Sequence, residues 1–187
     1  MYQDNYGFMW IGTYDGLNLY DGKDVTSFRF ELGNPYSLSG NSIHRIIQAD
    51  EEHLWVATNM GLDKFSMKTH KVVETYPAYE KIALISVNHN NETWLINKDN
   101  SISYYNNRQK KIYEIPIKEF NTNDIKLMFV DEKDQLCLIS KEGEILFINL
   151  QQNGNSQSNP FSLTVKKKAF HNQLIENAFF ENGKIYF

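Results

Sequence analysis

A string in this chain recurs without gaps: Trp10-Ile11-Gly12-Thr13-Tyr14-Asp15-Gly16-Leu17-Asn18-Leu19-Tyr20 lies over Trp55-Val56-Ala57-Thr58-Asn59-Met60-Gly61-Leu62-Asp63-Lys64-Phe65. Weaker copies start at Trp94 and at Cys137, each with one extra residue in the turn. The anchors are spaced by 45, 39 and 43 residues, and Glu181-Asn182-Gly183-Lys184-Ile185-Tyr186 reads as a fifth start. A repeat of roughly 44 residues is the length of one propeller blade. A residue repeated in every unit performs the job all units share, which is packing between neighbours, so Trp10, Trp55 and Trp94 are expected in the core.

The strands follow from turn chemistry. Each anchor is preceded by a polar cluster, Asp4-Asn5-Tyr6-Gly7, Asp50-Glu51-Glu52-His53, His89-Asn90-Asn91-Glu92 or Asp131-Glu132-Lys133-Asp134. Such side chains bond nearby backbone and tolerate left-handed conformations, which marks hairpins. The second unit reads as strands Ser42–Gln48, Leu54–Thr58, Gly61–Phe65 and Val72–Tyr76. The third reads as Ala83–Asn88, Thr93–Asn97, Ser101–Tyr105 and Lys111–Ile115, and the fourth as Ile125–Val130, Gln135–Ser140, Glu144–Asn149 and Leu163–Lys167. No segment sustains a 3.6-residue apolar period, so almost no helix is expected. Gly16 and Gly61 recur between second and third strands, where a positive φ is commonly required. Gln151 to Pro160 is a polar stretch that reads as a loop between the last two strands of the fourth unit.

The fold class is therefore all-β, a partial β-propeller of about four four-stranded antiparallel blades. Blade ends occupy 1–40, blades 41–80, 81–122 and 123–170, and the start of a further blade 171–187. Residues 1–40 are expected to supply only the later strands of a first blade, and Leu174–Phe180 with Lys184–Phe187 the first two strands of a fifth. Such an incomplete ring would leave apolar faces and strand edges that favour self-association.

Composition narrows the function. Apolar residues make up 41% and charged residues 22%, as in a folded soluble domain. The formal net charge is −4 and the longest basic run is Lys166–Lys168, so nucleic acid is not an expected partner. Cys137 stands alone, no segment has the apolar length of a membrane helix, and Met1-Tyr2-Gln3-Asp4-Asn5 lacks a signal-peptide pattern. The five histidines, His44, His53, His70, His89 and His171, show no metal-ligand spacing, and no nucleotide or cofactor motif is present. No cofactor and no metal site are expected.

The segment Asp4 to Gly22, with Trp10-Ile11-Gly12-Thr13, Asp15-Gly16-Leu17 and Tyr20-Asp21-Gly22, resembles the signature of the two-component-regulator propeller repeat. Asn34-Pro35-Tyr36-Ser37-Leu38-Ser39 followed by Asn41 is similar to that family's connection between blades. The resemblance spans residues 4–76 and weakens beyond, where Ile96 and Ile139 replace Gly12 and Cys137 replaces the aromatic anchor. It implies a periplasmic sensor region of a hybrid two-component system, whose histidine kinase domain is absent from this sequence. This chain is thus expected to be non-catalytic and to bind an oligosaccharide.

In a propeller the turns between second and third strands share one face with the crossings between blades. Positions there that differ from blade to blade are the ligand candidates: Tyr14, Asp15, Tyr36, Asn59 and Lys98, with Met60, Asp99, Lys141, Glu142, His44 and Arg45 nearby in the pattern. Aromatic faces beside amides and charges suit a sugar ring, whose C–H face stacks while its hydroxyls need donors and acceptors. Two rival functions are open. One is a protein-interaction scaffold. The other is a propeller lyase or glycosidase, for which only Asp15, Asp99 and Glu142 offer carboxylates on that face.

Overall fold

The computed structural model describes residues 1–77, 82–97, 101–115, 124–152, 161–169, 179–181 and 184–186. The first sheet holds β1 (Tyr2–Gln3), β2 (Met9–Thr13), β3 (Gly16–Tyr20) and β4 (Val25–Phe28), and the second β5 (Ile43–Gln48), β6 (His53–Thr58), β7 (Leu62–Ser66) and β8 (Lys71–Tyr76). The third holds β9 (Ile82–Val87), β10 (Thr93–Asn97), β11 (Ile102–Asn106) and β12 (Lys111–Ile115), and the fourth β13 (Ile125–Val130), β14 (Leu136–Ser140), β15 (Glu144–Gln152) and β16 (Phe161–Ala169). Each of these sheets has its four strands neighbouring in chain order, and β17 (Phe179–Glu181) and β18 (Lys184–Tyr186) form a two-stranded hairpin. Among the described residues there is no α-helix. The expected all-β blade pattern is therefore the observed one. The first two sheets fall in one compact unit and the fourth in a second.

The repeat is preserved in register. Trp10 pairs with Leu19 and Trp55 with Lys64, partners nine residues on in both sheets. Cys137 pairs with Phe147, ten residues on, which accommodates the extra turn residue. Trp10, Trp55 and Trp94 are all fully buried, as equivalent positions should be. The second strands β6, β10 and β14 are buried on both faces, as in Leu54, Trp55, Val56 and Ala57 in succession, whereas the outer strand β8 alternates between buried and open. A sheet sandwiched between neighbours needs a continuous apolar run in its middle and can relax to alternation at its edge.

In the first unit Trp10, Leu17 and Leu19 pack with Leu54, Val56, Phe65 and Val72 of the second sheet and with Leu38 of the crossing. The Trp10 ring stacks on Phe28 at 6.0 Å and meets Phe65 edge-on at 5.6 Å. In the second compact unit Phe161 meets Tyr104 and Tyr113 edge-on at 5.3 and 5.0 Å. Cys137 is buried among Phe129, Ile139 and Ile145. Burial, aided by Asp131, pushes its thiol up to about 12, leaving it inert.

Three of the four turns before the anchors share one construction. The side chain six residues before the anchor accepts backbone N–H groups two and four residues on: Asp4 from Tyr6 and Phe8, Asn88 from Asn90 and Glu92, Asp131 from Lys133 and Gln135. The residue three before the anchor is left-handed in the same three turns, Gly7 at φ 87°, Asn91 at 58° and Asp134 at 57°. Glycine, asparagine and aspartate are the residues that tolerate this conformation.

Three expectations need correction. Residues 1–40 do contain a first strand, since Tyr2–Gln3 pairs with Met9–Trp10; two residues are too short to show an alternating pattern. β15 and β16 run beyond Asn149 and before Leu163, pairing out to Gln152 with Phe161, because a hairpin can extend through polar residues once its backbone is in register. Gly16 has φ 107°, but Gly61 is not left-handed. Gly61 is small for space: a Cβ there would lie 3.1 Å from the Tyr76 carbonyl and 3.2 Å from Pro77 Cα. The part of the polar loop over 153–160, the segment 174–178 and residue 187 lie outside the described residues.

At Gly12 the first two sheets approach closely, because a Cβ there would lie 2.6 Å from Ile43 Cγ2 and 2.9 Å from Ile43 Cβ. Gly12→Val is therefore expected to lower stability by about 1–3 kcal/mol through overpacking. Urea unfolding reads this as a lower midpoint with an unchanged slope. An unaltered midpoint would show that the strands are free to separate.

Candidate functional site

The first two turn-face candidates are stitched to the crossing. Gly16 N–H donates to the Asn41 carbonyl at 2.8 Å, and Asn59 N–H to the Ser42 carbonyl at 3.0 Å. The turns themselves repeat a hydroxyl lock: Thr13 Oγ1 accepts from Asp15 N–H and donates to the Gly16 carbonyl, and Thr58 Oγ1 does the same with Met60 and Gly61. Ser140 accepts from the Glu142 and Glu144 N–H groups in the fourth sheet. This hydroxyl three residues after the anchor was visible in the repeat and went unread.

The five sequence candidates are not equivalent. Tyr14 is 89% exposed and open to a ligand. Asp15 forms a two-pronged contact with Arg29, at 3.1 Å from Nε and 2.8 Å from the terminal nitrogen, and that hydrogen bond and charge hold its carboxyl below the usual range. Asn59 Oδ1 accepts the Ser42 N–H at 3.1 Å, so part of this amide is structural. Tyr36 lies apart: its carbonyl accepts the Val72 N–H at 2.8 Å and Lys71 Nζ sits 5.2 Å above its ring, at the end of β8 away from the Asn59 turn. Lys98 and Asp99 lie outside the described residues. Met60, His44, Arg45, Lys141 and Glu142 are exposed.

Behind the crossing, Asp63 is buried and accepts the Ser39 N–H, the Ser39 hydroxyl and the Thr75 hydroxyl at 2.7–2.9 Å. Burial outweighs these bonds and raises its pKa. Its bonds tie the crossing to the second sheet.

Two clefts open elsewhere in the first unit. One, of 270 Å³, runs along the outer edge past Arg29, Glu31, Asn34, Tyr36 and Lys71. Its polar groups are engaged with one another or with near neighbours: Arg29 with Asp15, Glu31 with Asn34 at 2.7 Å, and Lys71 over Tyr36. The other, of 380 Å³, lies between the turn joining β1 to β2 and the turns β5–β6 and β7–β8. The buried Trp10 and Leu19 form its floor, and Tyr6, Phe8, Met67, His70, Glu51 and Glu52 line it together with Asp4 and Lys68.

Asp4 builds the aromatic wall of the larger cleft. Its Oδ1 accepts the Tyr6 and Phe8 N–H groups at 2.9 and 3.0 Å, and its Oδ2 accepts Trp10 Nε1–H at 2.9 Å. The turn so fixed presents Tyr6, 81% exposed, beside Phe8 with ring centroids 6.5 Å apart. Asp50 shapes the acidic wall by accepting the Glu52 N–H at 3.0 Å. His70, left-handed at φ 56°, closes one end with its ring against Trp10 and Phe28. Sequence reasoning took these turns only as hairpin chemistry. The available signal was Tyr6 and Phe8, aromatic where the later units carry Asn90, Glu92, Lys133 and Gln135. No group of three or more His, Cys, Asp or Glu among the described residues is placed to hold a metal ion.

Residues 1–15 match the family model of the two component regulator propeller. No curated protein matches the chain by sequence. Among solved structures the chain is similar to the extracellular domains of two hybrid two component systems from B. thetaiotaomicron. One is 18% identical over 98% of this chain and 29% of that chain, with TM-score 0.61. The other is 15% identical over 95% of this chain and 30% of that chain, with TM-score 0.62. A virginiamycin B lyase from Staphylococcus aureus, in a catalytically inactive form with quinupristin, is 14% identical over 91% of this chain and 55% of that chain, with TM-score 0.61. The chain thus has a propeller fold and spans about 30% of the length of the extracellular domains it matches.

Proposed function

We propose that this chain is part of the extracytoplasmic ligand-sensing region of a hybrid two-component regulator, periplasmic in location, and that its ligand is an oligosaccharide. The observation that carries the reading is the family match over residues 1–15, which covers the first anchor, in a chain whose fold is shared with two such extracellular domains. The chain itself binds and does not turn over ligand. In support, the Asp15 carboxylate is occupied by Arg29, which takes one of the three candidate carboxylates of that face out of acid–base chemistry. Propellers also serve as lyases, as the virginiamycin B relative does, so turnover is to be assayed alongside binding. A ligand signals by its difference in affinity for two arrangements of the sensor.

The contact positions on this reading are Tyr14, Asp15, Asn59 and Lys98, and Tyr36, which lies apart, serves as the control. Calorimetric titration with a panel of neutral and charged oligosaccharides is expected to find a binder whose affinity falls about tenfold or more when Tyr14 is replaced by alanine, the loss of a sugar-stacking ring. Alanine at Asp15, Asn59 or Lys98 should also weaken binding, and alanine at Tyr36 should not. Unchanged affinity in the four turn-face variants would move the site elsewhere, and a silent panel would favour a scaffold for proteins.

A further inference from the structure

We infer that the 380 Å³ cleft between the first two sheets is a second ligand site, shaped for a saccharide bearing a protonated amine. This rests on the saccharide reading above and adds to it a place and a charge. The cleft is separate from the hydroxyl-locked turns, since it is formed by the turns at the other ends of the same strands.

Its chemistry divides into two walls. On one, Tyr6 and Phe8 offer ring faces held out by the Asp4 turn. On the other stand Glu51 and Glu52, whose carboxylates make no hydrogen bond or ion pair among the described residues. Asp4 is satisfied by three donors and Lys68 is the one ammonium among the lining residues, so the lining carries an excess of negative charge that nothing in the cleft consumes. The outer cleft differs on this point, because Arg29, Glu31 and Lys71 there each have a partner, a carboxylate, an amide and an aromatic ring respectively. A flat ring with an apolar face fits the aromatic wall, and an ammonium on that ring meets both the carboxylates and the negative faces of Tyr6 and Phe8. Neutral sugars would use the aromatic wall alone. Anionic sugars would be repelled by Glu51 and Glu52.

The test is calorimetry on the whole chain near pH 6, about two units below the pKa of an ordinary α-amine. The probes are a glucosamine oligosaccharide and its fully N-acetylated counterpart of equal length. The amine form is expected to bind about fivefold to tenfold more tightly, and that preference to shrink as salt is raised. The double variant Glu51→Gln, Glu52→Gln should abolish the preference while leaving the acetylated form unchanged, and Tyr6→Ala should weaken both. These are open surface positions, and circular dichroism of each variant establishes that the fold is kept. Equal binding of the two probes, or a preference untouched by the glutamine variant, overturns the inference. If neutral oligosaccharides bind and depend on Tyr14 but not on Tyr6, the sensor reading stands and the amine site falls. If an oligolysine peptide binds through Glu51 and Glu52 and the glucosamine oligomer does not, the cleft is a peptide site and the inference is wrong.

Discussion

Trp10→Ala is expected to cost about 3–5 kcal/mol, enough to unfold a large part of the population of a marginally stable domain. The side chain is 1% exposed and its ring is in contact with Phe28, Phe65 and His70, drawn from both sheets of the first unit. Removing it opens a cavity at the seam between sheets, where two rigid backbones limit collapse. It also strips the partner from Asp4 Oδ2, a carboxylate in a residue only 7% exposed. Trp10→Phe separates these effects. It retains most of the packing and still loses the Nε1–H donor, so it should cost about 1–3 kcal/mol. Urea or thermal unfolding of the pair checks the order. If Trp10→Ala were as stable as Trp10→Phe, the seam would be loosely packed and the tryptophan repeat would need another explanation.

Much of this seam was legible because the blade repeat writes each role several times. Trp10 aligned with Trp55, and both pair with residues nine positions on. The anchor turns were legible for the same reason, as Asp4, Asn88 and Asp131 stand at one offset from their anchors. Roles that occur once were not legible. Gly61 copies Gly16 in sequence, yet one is left-handed and the other answers to the Tyr76 carbonyl and Pro77, a constraint set by a strand fifteen residues later. The two-residue strand Tyr2–Gln3 carries too little pattern to be seen.

The candidate site was read less well, and the reason is physical. Offsets within a blade reveal which turns share a face, and that placed Tyr14, Asp15, Asn59 and Met60 together as the Asn41–Ser42 stitches show. They do not reveal which carboxylates find partners. Asp15 and Glu52 look alike in sequence as acidic turn residues, but Arg29 reaches the first, and among the described residues no cation is paired with the second. Nor do they show how a long crossing travels. Tyr36 leaves the face assigned to it because residues 34–38 drop to the start of β8 before Ser39 returns to Asp63 and Thr58.

Lys64→Met is the second change expected to have a large effect. Lys64 is 3% exposed, and its Nζ lies 2.9 Å from Asp50 Oδ2 and 5.7 Å from the centre of the Trp55 ring. Asp50 accepts on its other oxygen from His53 Nδ1 at 2.6 Å and from the Glu52 N–H. Breaking a buried pair from one side leaves the other charge without its main partner, so the loss should be about 3 kcal/mol or somewhat more. The double variant Asp50→Asn, Lys64→Met removes the stranded charge as well and should recover a good part of that loss, which a double-mutant cycle measures. Acid titration supplies an independent reading. Burial on its own would raise the Asp50 pKa, but hydrogen bonds from Lys64, His53 and the Glu52 N–H, together with the Lys64 charge, lower it to about 2. A carboxyl depressed on folding stabilises the fold above its unfolded value of about 3.9, and that contribution is lost as pH falls through the folded value. Allowing for screening by water, the contribution is at most about 2 kcal/mol. In Lys64→Met the folded pKa rises, so acid unfolding should begin at higher pH than in the parent, and in Asp50→Asn this part of the acid limb should vanish. Acid limbs that superimpose in all three proteins would show that the Lys64–Asp50–His53 cluster contributes nothing to the stability of the blade.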